Sequence, residues 1–154
     1  MTTDTSKYGH LFLTEPSDGS LDMVYEGQAV GALPPNLGIP WALMRAADIP
    51  EASAYVTTSW VREADDRVLW VHEHEHDYDE ILLFLGNDPN KEEDLGGEVF
   101  MTIEGEEHTL TTTSAVFIPA HTKHCPLGFN SVERPWRFIA IAMSGHGNYL
   151  APKS

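Results

Sequence analysis

The chain has 154 residues, 42% of them hydrophobic and 21% charged, which is the length of one domain with enough apolar material for its own core. Lys and Arg number 9 against 24 Asp and Glu, a formal net charge of −15, which argues against nucleic acid and anionic membrane as partners because both need basic patches. Cys125 is the only cysteine, so no intramolecular disulfide forms; no basic and apolar leader opens the chain and no apolar run approaches a membrane span, so a cytoplasmic protein is expected.

The first seven residues are polar and are expected to be disordered. Tyr8 to Thr14 has strand character, and Glu15 to Gly19 reads as a turn. Leu33 to Pro40 is too rich in Pro and Gly for regular structure. Trp41 to Ala47 predicts a short helix ended before Pro50. From about residue 53 the pattern changes. Ala54 to Val61 is β-branched and aromatic, hence a strand, and Val68 to Val71, Ile81 to Leu85, Val99 to Ile103, Thr109 to Thr113, Ala115 to Ile118 and Trp136 to Ala142 follow. Turn signals at Asp65-Asp66, Gly86 to Asn90, Glu104-Gly105, Pro119 and Arg134-Pro135 separate them. Many short strands at this spacing predict an antiparallel sandwich or barrel. The acidic stretch Asn87 to Gly97 reads as a structureless lid or rim loop. The division is an extension over residues 1–50 that packs on a barrel of residues 51–145, and a tail of residues 146–154.

Six of the eight histidines fall in two places, His72 to His76 and His121 with His124. In an extended segment alternate side chains share a face. His72, His74, His76, Tyr78 and Glu80 would then look one way, and Glu73, Glu75, Asp77 and Asp79 would face water. Imidazoles and a carboxylate converging from two segments are what a transition-metal site needs. Pro119 to His124 is the second histidine pair with suitable punctuation, behind the apolar strand Ala115 to Ile118.

His74-x-His76-x3-Glu80 followed by Gly86 resembles the first motif of the cupin superfamily, and Pro119-x4-His124 resembles the core of its second. The resemblance covers roughly residues 53–143. It implies an all-β fold, a double-stranded β-helix or jelly-roll barrel, and one divalent metal held by His74, His76, Glu80 and His124, with iron foremost and Mn, Ni, Cu or Zn as alternatives. Val68 and Thr113 stand where the motifs open with Gly, Gly86 closes the first motif one residue early, and Gly128 stands where Asn is common. His121 replaces a Gly that supplies positive φ, and His is among the residues that tolerate it. Gly86-x-Asp88-Pro89, Asp94 to Val99 and His124-Cys125-Pro126-Leu127 are similar to a group of small microbial cupins without an assigned reaction.

His72 also forms a His-x-His pair, but the pair at 74 and 76 places Glu80 at the motif distance, so His72 and His121 are expected at the second shell or rim. Tyr78 is the candidate catalytic hydrogen-bond donor, with a packed tyrosine as the alternative. Cys125 has outward parity if its segment is a strand, and a buried structural thiol is expected. His108, beside Glu106 and Glu107, is expected to be solvated. Trp60, Trp70, Phe84, Phe100, Phe117, Phe129 and Phe138 are candidate walls. The site suits an Fe(II)-type oxygenase acting on a small organic acid or diketone. The alternatives are a redox-neutral lyase, isomerase or decarboxylase using the metal as Lewis acid, and a metal- or metabolite-binding module without turnover. A homodimer is expected through edge strands, with Tyr8 to Thr14 supplying one.

Overall fold

A computed structural model of the chain describes residues 6–20, 22 and 33–147. Residues 1–5 of the polar leader and 148–154 of the tail lie outside the described residues, as do 21 and 23–32. The described residues form ten strands: β1 (Ser17–Asp18), β2 (Trp41–Met44), β3 (Tyr55–Val61), β4 (Val68–Val71), β5 (Asp79–Leu85), β6 (Asp94–Ile103), β7 (Glu106–Thr112), β8 (Ser114–Ile118), β9 (His124–Val132) and β10 (Trp136–Met143). They make two antiparallel sheets, one of six strands in the order β1-β2-β3-β10-β5-β8 and one of four in the order β4-β9-β6-β7. From β4 onward the chain crosses repeatedly between the sheets, which is the jelly-roll wrap the strand spacing predicts.

Alternation in the sequence explains the packing. On β5 the even positions Glu80, Leu82 and Phe84 are buried and the odd ones are half-exposed. Val61, Leu82, Phe84 and Phe138 from one sheet meet Val99, Met101, Leu127 and Phe129 from the other in one core. At Glu104-Gly105 both residues have positive φ, 48° and 79°, the geometry of a tight hairpin between β6 and β7.

The N-terminal expectations fail in three places. Trp41 to Ala47 is not a helix: Trp41–Met44 is β2, with Trp41 opposite Thr58 and Ala42 opposite Thr57. A helix of one or two turns is marginal alone, while the edge of β3 offers a hydrogen-bond ladder. Tyr8 to Thr14 is not a strand but a 3-10 turn at Gly9–Leu11 with no buried residue. Glu15 to Gly19 is not simply a turn, because Ser17–Asp18 pairs with β2 as β1. Arg45, just after β2, holds this region down: its guanidinium donates to Asp48 at 2.6 Å and to Asp22 at 2.7 Å.

Strand β9 escaped the sequence reading because Pro126 and Gly128 argue against a central strand. Both are accommodated. The register of β9 slips on either side of Pro126, between Met101 and Ile103 on β6 and between Leu69 and Val71 on β4. Gly128 is needed for contact, since a Cβ there would meet the Val68 carbonyl at 2.1 Å and the Phe100 ring at 2.5 Å.

The Asn87 to Gly97 lid is also corrected. Asp94 to Gly97 belongs to β6, and residues 87–93 turn at the Leu85 end of β5, five residues beyond Glu80. That is about 17 Å along the strand from the histidine cluster.

Candidate metal centre

Residues 72–78 carry the chain from β4 in the four-stranded sheet to β5 in the six-stranded one. His74 and His76 ride on this crossing, Glu80 is the second residue of β5, and His124 heads β9. Backbone bonds clasp the segments. His74 N–H donates to the His124 carbonyl and His124 N–H to the His74 carbonyl, each at 3.0 Å, and His121 N–H donates to the His76 carbonyl at 2.8 Å. His121 reaches this geometry with φ 61°, as its place in the motif predicts.

The clasp brings one ring nitrogen each of His74, His76 and His124 within 4.8 Å of one another. His76 and His124 are buried, at 2% and 1% exposure. Each imidazole is fixed through Nδ1 to a main-chain carbonyl two residues away: His74 to His72 at 2.8 Å, His76 to Tyr78 at 3.2 Å, and His124 to Thr122 at 2.8 Å. A carbonyl can only accept, so Nδ1 carries the proton and Nε2 presents a lone pair. Nε2 of His124 is buried and meets no hydrogen-bond partner among the described residues. Glu80 Oε2 stands 2.9 Å from Nε2 of His76 without the alignment of a hydrogen bond, as two atoms aimed at a third would. Burial holds the His74 and His124 pKa values below the ordinary histidine range, His124 at about 4, with the neighbouring His74 charge the next cause there. Both rings are neutral at neutral pH, the state that ligates.

Three imine nitrogens, with the Glu80 carboxylate beside His76 and no thiolate in the cluster, could hold a metal ion. His74, His76, His124 and Glu80 would hold it.

The remaining candidates separate. His72 is exposed and contributes its carbonyl to His74. The His121 side chain is exposed and outside the cluster. Tyr78 is buried outside the cavity lining and packs as the alternative reading has it, its ring stacked on His76 at 4.1 Å and 3°. Cys125 is buried as expected but faces inward, lining the cavity beside His124, because φ of 75° breaks the strand parity. His108 is exposed and pairs with Glu106 at 2.6 Å.

The cavity beneath the cluster has two different walls. Trp70, Val71, Leu82, Leu127 and Phe138 form the apolar one. Tyr55, Thr57 and Ser59, alternate residues of β3, bring hydroxyl-bearing side chains to the other, and the Tyr55 hydroxyl donates to Asp22 at 2.6 Å. Of the predicted walls, Trp70 and Phe138 line the cavity. Phe84 and Phe129 fill the core, Phe117 faces solvent, and Trp60 lies under the Arg137 guanidinium. The β3 hydroxyls were missed because Trp60 drew the inward face to the wrong alternate set; the in-phase run Tyr55, Thr57, Ser59, Val61 was the available signal. Among the described residues lining the cavity, Glu80 is the one charged group and no Lys or Arg appears.

No family model matches the chain and no curated protein does. Solved structures similar to it include a cupin superfamily protein from Desulfitobacterium hafniense, 17% identical over 73% of this chain and 82% of that one, with a TM-score of 0.46. A double-stranded β-helix protein from Klebsiella pneumoniae is 12% identical over 82% and 93%, with a TM-score of 0.48. KdgF from Halomonas is 12% identical over 73% and 84%, with a TM-score of 0.46.

Proposed function

We propose that the chain is a cupin-type metalloenzyme, an Fe(II)-dependent oxygenase acting on a small organic acid or diketone. The observation that carries this reading is the convergence of three Nδ1-anchored imidazoles beside Glu80 in a cavity whose described lining residues include no Lys or Arg. A substrate with a phosphate or several carboxylates would meet no Lys or Arg among the described residues of that lining. A compact molecule with two adjacent oxygens and an apolar body fits better. The bound metal would supply Lewis acidity and, as iron, one-electron chemistry with dioxygen. The protein supplies the rest. The main-chain carbonyls keep the three rings in the ligating tautomer, Thr57 and Ser59 offer hydroxyls to a substrate oxygen, and Trp70, Leu127 and Phe138 exclude water.

The test begins with metal analysis of protein purified without chelator, expected to give about one ion per chain. Loss of that ion in His76→Ala is expected; no ion in the wild type, with unchanged affinity in the variant, would defeat the site. Oxygen-electrode measurements on Fe(II)-loaded protein with simple β-diketones should then show uptake matched to substrate loss. Turnover under strict anaerobiosis would replace the oxygenase reading with a redox-neutral one.

A further inference from the structure

We infer that the indole N–H of Trp70 selects the far end of the substrate, donating to an uncharged oxygen there. This deepens the function proposed above and rests on its metal-chelating head, not on its reaction. The register of the six-stranded sheet gives the cavity a depth. Inward side chains of β3, β10 and β5 stand in rows: Tyr55, Ala142 and Glu80 in the first, Thr57, Ala140 and Leu82 in the second, Ser59, Phe138 and Phe84 in the third. Glu80 sets the first row at the histidine cluster. The cavity reaches the third row, where Ser59 and Phe138 still line it and Phe84 fills the core. Ala140 and Ala142, small residues on the middle strand of the three, leave the trough between these levels open.

Trp70 meets the third row from the opposite sheet. Its ring packs edge to face on Phe138 with centroids 4.9 Å apart, and lies 6.0 Å from Phe129. It is 6% exposed and lines the cavity, and its Nε1 has no hydrogen-bond partner among the described residues. Buried donors are paired in the great majority of cases, because an unpaired one loses its water without compensation. The Trp136 N–H is also unpartnered, but that ring is enclosed in the core and is not among the cavity's lining residues. Trp70 is the one beside a space that an acceptor can enter.

The chemistry of this floor defines the acceptor. An indole N–H only donates, so an ammonium tail would set donor against donor. The described lining residues include no Lys or Arg, so a second carboxylate would be buried without a counter-charge. A ketone, ester or ether oxygen meets both conditions, and the Ser59 hydroxyl at the same level can donate to its other lone pair. Two rows of two residues at about 3.4 Å each put the floor about 13 Å from the Glu80 row. A metal–oxygen bond of about 2 Å and an N–H···O distance of about 2.9 Å leave about 8 Å between the two oxygen-bearing ends of the substrate. The substrate class is an acid or diketone with a chelating head, a short apolar body and a neutral oxygen on its tail.

Nuclear magnetic resonance titrations of the Zn(II)-loaded full chain test this, since zinc does not consume the ligand with dioxygen. The probes are a β-diketone with a hexyl tail and its analogue with a ketone at the penultimate tail carbon. The keto probe should bind on the order of tenfold more tightly and move the Trp70 indole proton downfield. That resonance is identified by its loss in Trp70→Phe and, should the variant not fold, by its contacts with the Phe138 ring. In Trp70→Phe the preference should vanish while the hexyl probe keeps its wild-type affinity. A preference that survives Trp70→Phe overturns the inference in favour of Ser59. An indole proton that answers both probes alike overturns it in the wild type, with no variant needed. Equal binding of the two probes overturns it alone and leaves the metal site standing, whereas failure of both to bind, with zinc retained, overturns it together with the chelating head.

Discussion

His124 shows how one residue's surroundings set both its chemistry and a cost. It is 1% exposed and held neutral, with a pKa of about 4 against 6.5 for an unperturbed ring; His74 shifts in the same direction. Above pH 6.5 neither the folded nor the unfolded chain protonates these rings and nothing is lost. As pH falls from 6.5 to about 4 the unfolded chain takes up protons that the folded chain refuses, so stability declines, by up to about 3 kcal/mol for His124. Below about 4 the decline ends. Urea titrations of the metal-free protein at pH 7.0, 5.5 and 4.5 should show it, and a flat profile would contradict the burial. The histidine cluster was legible at this scale because its spacing is one-dimensional: only the pair at 74 and 76 stands in the motif relation to Glu80. The inward turn of Cys125 was not, because a single positive φ decides it and its sequence carries no Gly to announce one.

At the scale of the element, strands whose side chains alternate were readable, and those held by neighbours were not. Strand β5 announces itself by period two. Strand β2 has four residues and exists because β3 lies beside it. Strand β9 contains Pro126 and Gly128, which local rules read as breakers, yet it sits between β4 and β6. The tertiary reason for Gly128 yields a prediction. Gly128→Ala drives a methyl group into the Val68 carbonyl and the Phe100 ring, and overpacking of this kind costs about 3 kcal/mol. Equilibrium urea unfolding should show that loss, whereas Gly105→Ala, with open space around its Cβ position, should lose only what its positive φ imposes, about 1 kcal/mol.

For the whole molecule, the jelly-roll wrap was predictable from strand count and turn spacing, but which end of the barrel each loop occupies was not. The acidic stretch Asn87 to Gly97 reads as a lid or rim loop in sequence, yet its loop portion, residues 87–93, turns at the end of β5 remote from Glu80. Position along a strand decides this, and it appears only once the register is known. The charge balance has a consequence for the molecule as a body. At −15 the folded chain repels itself, and salt screens that repulsion with a Debye length of about 10 Å at 0.1 M. Thermal midpoints should therefore rise between 10 and 200 mM NaCl. A fall would mean that ion pairs such as Arg45 with Asp22 and Asp48 outweigh the repulsion.

The three Nδ1 anchors are all main-chain carbonyls, and this bears on how the protein can change over generations. An anchor borrowed from a side chain can be deleted by one substitution, typically at a 10- to 100-fold loss of metal affinity. A peptide carbonyl survives any replacement of the residue that bears it. His72→Ala and Thr122→Val should therefore bind metal within about threefold of the parent chain in competition titrations. The residues at the rim of the cavity are free to vary while the orientation of the three imidazoles is inherited intact.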